Sequence, residues 1–457
     1  MSEPSKQGSR FRHFAVTRRD VVRGVGAAGL GAAAGLPLVK RASAQAGAPI
    51  TLRFWSNDQP QQRGWLQKRF KIFTDANPNV KIDYQWFPFG ELAKKLSVGF
   101  ATGTAPEGFI CYDWFMPTFL DKGLLAPMDV KRLGYPSLEA YRNDFSTPAL
   151  MGAIQDGKVY GYPSWFYAFV NYINEKHFKE AGLDPDKDAP QTWEQFGEIA
   201  KRLTKRDGAR FSRQGAKFAM HAAQWTMIQF NPILLQCGGK WFDDSGKCTV
   251  NSDASVNAMT IRASLVRQYG AEDPADSVAT NPLPQNDFLK EKSSMFLSHP
   301  VPPAAFQSQN PEMAAARYYR PVQYPGTEAG KGFATAYGFN LVVNAQITKD
   351  KQEALHDVYK VVMGDLVECW KDTGPFTVGR KSGWADNPAV QSFPHVNEFI
   401  KAKDQGVFLP RTVVYSELAD AMHRAVQKII LNRADIKASL DEAAAEVDRA
   451  TAAYKKG

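Results

Sequence analysis

Cysteine and histidine are scarce in this chain, four and seven among 457 residues, and neither falls into a metal-binding spacing. Without a C-x-x-C pair, a C-x-x-C-H segment or clustered histidines, cysteine-based metal sites and covalent haem are excluded. The chain also lacks H-E-x-x-H, G-x-S-x-G and the phosphate-cradling G-x-x-x-x-G-K-[ST], which removes the usual signatures of zinc peptidases, serine hydrolases and P-loop NTPases. No apolar run reaches the roughly 20 residues needed to span a membrane. Internal repeats are absent as well.

One glycine motif is present and misleading. Gly24, Gly26 and Gly29 have the G-x-G-x-x-G spacing. A dinucleotide site would need a strand before them and an acid about 20 residues later. Basic, non-alternating sequence precedes these glycines, and after Asp20 no acid appears until Asp58. The stretch has the parts of an export signal: a basic start, an uncharged run from Gly24 to Val39, and A-x-A sites ending at Ala44 and Ala46. Thr17-Arg18-Arg19-Asp20-Val21-Val22-Arg23 resembles a twin-arginine signal. Residues 1–44 are therefore expected to be a signal peptide read by the twin-arginine export machinery, with cleavage near Ala44 or Ala46 and a periplasmic destination.

Removing that segment changes the charge. It holds eight basic and two acidic residues, a net +6 of the chain's +9. The remainder is nearly neutral, so a nucleic-acid partner has no electrostatic support. About 410 residues exceed a single core of roughly 250–300, so two domains are expected. Cys237 and Cys248 flank "CGGKWFDDSGKC", whose Gly-Gly and Asp-Asp-Ser-Gly turns can fold the chain back on itself. In an oxidising compartment a disulfide between them is expected, with two unrelated buried thiols as the alternative. Whether Cys111 meets Cys369 is left open.

The coarse pattern is α/β. "ITLRFW" reads as a strand, and Leu66, Phe70 and Phe73 mark a helix face stopped by Asn77-Pro78. "VKIDYQW" then alternates Val80, Ile82, Tyr84 and Trp86 as a second strand. Such βαβ units bind ligands at the carboxyl ends of their strands, which draws attention to the loop after Trp55. Leu92, Leu96 and Phe100 follow at helical spacing, "GFICYDW" is a buried strand, and "VYGYPSWFYAFVNYI" is one more apolar segment. Thr192 with Gln195 fits a capping box. Ile436, Leu440, Ala443, Val447 and Tyr454 share one face of a C-terminal helix.

Taken in order, these pieces resemble the extracellular solute-binding proteins of the maltose-binding type, which serve ABC importers. The resemblance runs from "ITLRFW…FTDANPNVKI" through "GTAPEGFICYDWFMPTFLDKGLLAPMD", "KVYGYPSWFYAFVNYINEKHFKEAGLDP" with "PQTWEQF", "LLQCGGKWFDDSGKCTVNSD", "FLKEKSSMFLSH" and "PFTVGRKS". Three positions depart from the family pattern: Glu107-Gly108 replaces its Pro-Asp acid, Lys292-Ser293-Ser294-Met295 replaces G-x-a-a-M, and "SHPVPP" stands where a Trp is common. The resemblance implies a periplasmic-binding-protein type II fold. Its N-lobe would be residues 49–163 plus 338–375 and its C-lobe 168–333 plus 376–457, with a ligand cleft between and hinge closure on binding. It further implies a monomer that captures a mono- or oligosaccharide or polyol, hands it to permease subunits, and uses no catalysis, cofactor or metal. An anionic sugar is the alternative ligand. An exported carbohydrate-active enzyme is the alternative class, since a glycosidase needs only two suitably placed carboxylates.

Sugars offer hydroxyls around apolar C–H faces, so their sites combine aromatic plates with amides and carboxylates. By resemblance, Asn57, Asp58 and Gln59 occupy the first contact loop, against a plain solvated turn. Asp113 and Trp114 follow the "ICY" strand, against a structural cap. Gln224, Trp225 and Thr226 stand where the C-lobe meets sugar in relatives, against ordinary core. Trp165 and Tyr167 adjoin the first crossover, against lobe packing. His299 and Tyr337 lie near later crossovers. Tyr415 supplies a late contact aromatic, and Arg411 would clamp an anion, against a surface ion pair. The signal reading has its own test: the double variant Arg18→Lys, Arg19→Lys should trap precursor inside the cell, and undiminished export would refute it.

Overall fold

A computed structural model describes residues 49–455 apart from 89, 146, 151, 278–283, 301–302, 374–378 and 382–386. The expected signal peptide and its cleavage sites lie outside the described residues. The expected opening is present: β1 (Ile50–Asn57), a helix from Pro60 to Ala76, and β2 (Val80–Phe87). β1 and β2 run parallel in unbroken register from Ile50 beside Val80 to Asn57 beside Phe87. Pro60 suits the first helical position, where its missing N–H has no intrahelical partner to lose. Leu66, Phe70 and Phe73 are buried as the spacing predicts, joined by Trp65. Tyr84, expected on a buried face, is 41% exposed, because β2 forms the sheet edge with β1 as its single neighbour.

β3 (Gly108–Tyr112) is buried throughout. Its first residue accounts for one departure from the family pattern. A Cβ on Gly108 would lie 2.4 Å from the Tyr359 hydroxyl, so glycine lets β3 pass beneath that ring. Glu107, one residue earlier, accepts from the Arg53 N–H and Nε at 2.8 and 2.9 Å and from Lys351 Nζ at 2.9 Å.

The segment that reads as a single apolar run resolves into several strands. A small hairpin joins β4 (Ile154–Gln155) to β5 (Lys158–Val159), then β6 (Tyr162–Ala168) and β7 (Val170–Asn174) follow with Phe169 alone between them. β6 and β7 belong to different sheets. The remaining strands are β8 (Lys205–Asp207), β9 (Arg210–Lys217), β10 (Ser293–Ser298), β11 (Tyr319–Val322) and β12 (Ala336–Val343). One sheet has the order β2-β1-β3-β12-β6 and the other β11-β7-β10-β9-β8. In the first, β12 is antiparallel to both neighbours; in the second, β10 is parallel to β9 and antiparallel to β7. The result is two α/β lobes, each with a mixed sheet.

Helices pack on these sheets as the sequence patterns indicate. Thr192 and Gln195 form the reciprocal capping box of the helix Trp193–Leu203. The helix Ile436–Tyr454 buries Leu440, Ala443 and Val447, and Asp435 caps it by accepting from the Ala438 N–H. Beside it the helix Tyr415–Asn432 packs against the helix Ala223–Gln236. Asn231 ties the helix Ala223–Gln236 to the residue before β12 and to a distant segment, donating to Thr335 Oγ1 at 3.2 Å and to the Phe408 carbonyl at 3.1 Å.

The expected Cys237–Cys248 disulfide is corrected: both are free thiols. Cys237 closes the helix Ala223–Gln236, and Gly238, at φ +76°, turns the chain away from it. The hairpin that follows pairs Cys248 with Phe242 rather than Cys237. Asp243 holds the tip by accepting from the N–H groups of Ser245 and Lys247, and Cys248 N–H donates to Asp448. Cys111 and Cys369 are likewise separate, buried thiols. Among the described residues no helix is long and apolar enough to cross a membrane.

The second lobe contains a buried ion pair. Arg262 and Glu272, with side chains 1% and 2% exposed, meet at 2.6 and 3.0 Å. Glu272 also accepts from the Phe218 N–H, while the guanidinium sits 4.2 Å over the Phe218 ring. Removing one member of such a pair strands the other charge. Arg262→Leu should therefore cost about 3–5 kcal/mol in urea unfolding, and adding Glu272→Leu should recover much of that loss.

Candidate ligand site

β1 and β3 end side by side and release two loops that carry predicted contacts. The first comes from β3. Asp113 N–H donates to the Gly338 carbonyl at 3.1 Å, and Asp113 Oδ2 accepts the Gly338 N–H at 3.2 Å. This double link fixes the strand end against β12 and sets the next residue, Trp114, among aromatics. Its ring stacks on Tyr112 at 4.8 Å and 2°, faces Tyr415 at 6.0 Å and 28°, and meets the edge of Tyr337 at 5.3 Å.

The aromatic wall continues across the crossing between the sheets. Tyr337 lies 6.1 Å from Phe169, the residue between β6 and β7. Phe169 in turn lies 6.0 Å from Trp225 and 6.1 Å from His299, which are 6.0 Å from each other. Six predicted residues, Asp113, Trp114, Tyr337, Tyr415, Trp225 and His299, thus belong to one connected cluster, in which Trp114, Tyr337 and Tyr415 are buried and His299 is partly exposed. Burial pushes His299 down to about 4, so its ring is neutral at pH 7.

Asp113 is 5% exposed, and burial pushes its carboxyl up to about 7, with the nearby Arg411 guanidinium and the Gly338 N–H pulling the other way. Arg411 stands beside Gly152: a Cβ there would come within 3.1 Å of the guanidinium. Asp113 is the carboxyl whose charge, when ionised, favours this guanidinium.

Gln224 meets the first lobe. Its Oε1 is 3.3 Å from where a Cβ on Gly90 would stand, so the start of the helix Ala223–Gln236 touches the turn that follows β2. Thr226 is directed elsewhere, its hydroxyl 2.8 Å from His423 Nδ1 between the two packed helices. Trp165 is fully buried in β6 and belongs to the lobe core. Tyr167 pairs with Tyr337 across β6 and β12. In the loop after β1, Asn57 is buried, whereas Asp58 forms a half-exposed ion pair with Arg63 at 2.9 Å. Gln59 precedes the helix Pro60–Ala76 without capping it through its side chain.

Sequence reasoning missed Phe169, Tyr112 and His221. The ring of His221 lies 6.1 Å from Trp225. Phe169 carries a signal in retrospect, because a lone residue between strands of two sheets must sit at their junction. Among the described residues no group of histidine, cysteine or carboxylate side chains could hold a metal ion.

Residues 57–359 match the model of the bacterial extracellular solute-binding protein family. The chain belongs to that family. A binding protein of Brucella abortus is 24% identical over 387 residues, 83% of this chain and 87% of the relative. Among solved structures, an ABC substrate-binding protein from Listeria monocytogenes in complex with cycloalternan aligns at TM-score 0.74 and 18% identity, over 88% of this chain and 99% of that one. A solute-binding protein from Agrobacterium vitis with bound D-mannitol aligns at TM-score 0.72 and 18% identity, covering 89% and 99%. The two-lobe architecture is therefore the periplasmic-binding-protein type II fold, and this family member is a solute-binding protein rather than an enzyme.

Asp113 gives the site a pH signature. Between about pH 4 and 7 the folded chain keeps a proton on Asp113 that the unfolded chain, with an ordinary carboxyl near 3.8, has released. More protons bound in the folded state mean that stability falls as pH rises through that window. Histidines that burial holds near 4, such as His177, His221 and His299, give wild type and Asp113→Asn alike an opposing rise, so the readout is the difference: the stability of wild type relative to Asp113→Asn should fall between about pH 4 and 7 and level off above that. Equal slopes in both proteins would show the carboxyl ionised throughout.

Proposed function

We propose that this protein captures a neutral carbohydrate or polyol in the cleft between its lobes and delivers it to the permease subunits of an ABC importer. The observation that carries this reading is the continuous aromatic cluster from Tyr112 and Trp114 through Tyr337 and Phe169 to Trp225, gathered where the chain crosses between the two sheets. Aromatic faces match the apolar C–H faces of a sugar ring or polyol chain, and amides such as Asn57 and Gln224 match hydroxyls. Solved solute-binding proteins of the same fold hold cycloalternan and D-mannitol, which is consistent with this class.

In this reading the lobes are residues 49–163 plus 338–375 and 168–333 plus 376–457, and ligand favours their closed arrangement, which the importer recognises. The protein acts as a monomer in the periplasm, after export through the twin-arginine route. Asn57, Asp113, Trp114, Gln224, Trp225, Tyr337 and Tyr415 are the contacts assigned to the ligand, with Gln59 and His299 at the margins.

The test is thermal unfolding of residues 45–457 against neutral sugars, polyols, uronates and sugar phosphates. A ligand at 100 times its Kd adds about 2.7 kcal/mol, which for a chain of this size raises the melting temperature by about 2 °C or more. The expected result is a shift with neutral members of the panel. Shifts confined to anionic sugars, or none at all, would overturn the ligand class.

A further inference from the structure

Unpaired amides are concentrated where β1 gives way to its helix. Asn57 is 0% and Gln62 1% exposed, yet neither the oxygen nor the nitrogen of either amide has a hydrogen-bond partner. Gln59 Oε1 is buried and unpartnered beside them. Buried polar atoms are almost always paired, because losing water without gaining a partner is unfavourable. Several such atoms within six residues are therefore a feature to be explained.

Their position supplies the explanation. Gln62 is the third residue of the helix Pro60–Ala76 and begins the buried stripe that continues through Trp65, Leu66, Phe70 and Phe73. It points inward at the turn nearest the carboxyl end of β1, where Asn57 is the last strand residue. The helix begins without a side-chain cap and with no acid in its first turn, so the chain supplies no side-chain acceptor for its leading N–H groups. The Asp58–Arg63 ion pair and the bond from Asp58 N–H to the Phe87 carbonyl hold the outer side of the loop.

We propose that Gln62, which the family resemblance does not single out, is a specificity-determining residue that reads ligand hydroxyls together with Asn57. This rests on the neutral-polyol reading above. A carboxamide presents an acceptor and a donor side by side, and a hydroxyl can answer either, so neighbouring hydroxyls satisfy both amides and accept from the helix's first N–H groups. A carboxylate or phosphate presents acceptors and would leave the amide oxygens without donors. The amide pair thus selects hydroxyl-rich neutral ligands, because only such a ligand answers both the donors and the acceptors that the protein leaves unpaired there.

The experiment compares wild type with Gln62→Leu, similar in size and unable to hydrogen-bond. Two quantities are read: the ligand-free melting temperature, and the Kd for the panel sugar or polyol that stabilises wild type most. The expected result is a ligand-free melting temperature equal to or above wild type, with affinity weakened about tenfold or more. A ligand analogue lacking the hydroxyl that Gln62 reads should bind wild type more weakly and show no further loss in the variant. A ligand-free melting temperature several degrees lower, with affinity unchanged, would assign the amide to the lobe's own structure and overturn the proposal. If wild type responds to no neutral ligand, the proposed function fails and this assignment falls with it; if wild type responds and Gln62→Leu keeps the same affinity, the assignment alone is overturned.

Discussion

A single residue separates two sheets, and the rest of the architecture is arranged around it. Phe169 lies between β6 in one sheet and β7 in the other, with its N–H bound to the Thr335 carbonyl, one residue before β12 returns the chain to the first sheet. Two crossings are thereby tied to each other. The Phe169 ring contacts Tyr337 from the first lobe and Trp225 and His299 from the second. Rings carried by both sheets therefore meet on one residue at the junction. Thr335 strengthens the junction by donating to the Ile228 carbonyl while accepting from Asn231.

The site itself balances apolar faces against a small number of buried polar groups. Asp113 shows how this is done: it serves as a backbone clamp to Gly338, lies near the charge of Arg411, and precedes the Trp114 plate. Its raised pKa is the energetic cost of holding a carboxyl in that dry position. The chain shares its fold with solved proteins at 18% identity, so the architecture by itself does not specify a ligand.

Local signals were legible in the sequence where one short segment determines its own structure. The strand–helix–strand opening follows from two periodicities and an Asn-Pro stop, and the Thr192–Gln195 box from four residues. What depends on distant pairing was less legible. "VYGYPSWFYAFVNYI" gives no sign that Phe169 divides it between two sheets, because both halves are equally apolar. The Cys237–Cys248 disulfide failed for a related reason: the turn residues were read correctly, but the hairpin register pairs Cys248 with Phe242. Thr226 carried the right residue type at the right place in the chain, and its contact with His423 on a helix nearly 200 residues later was invisible. Gln62 was overlooked because a glutamine in a first helical turn normally faces water; here it begins the buried stripe.

The placement of β12 also has a consequence for when the first lobe can exist. That lobe's sheet needs a strand ending at Val343 between β3 and β6, and those two are complete by Ala168. During synthesis the early strands must wait for more than 150 further residues, including most of the other lobe, before their sheet can close. The first lobe is therefore not an independent unit that matures as it leaves the ribosome, and slow, non-local pairing of this kind leaves unpaired strand edges exposed meanwhile. Any export signal at the amino end would emerge long before the fold it precedes. A route that threads unfolded chains could act at once, whereas a route for folded cargo would have to hold that signal in reserve until the last strand has been inserted.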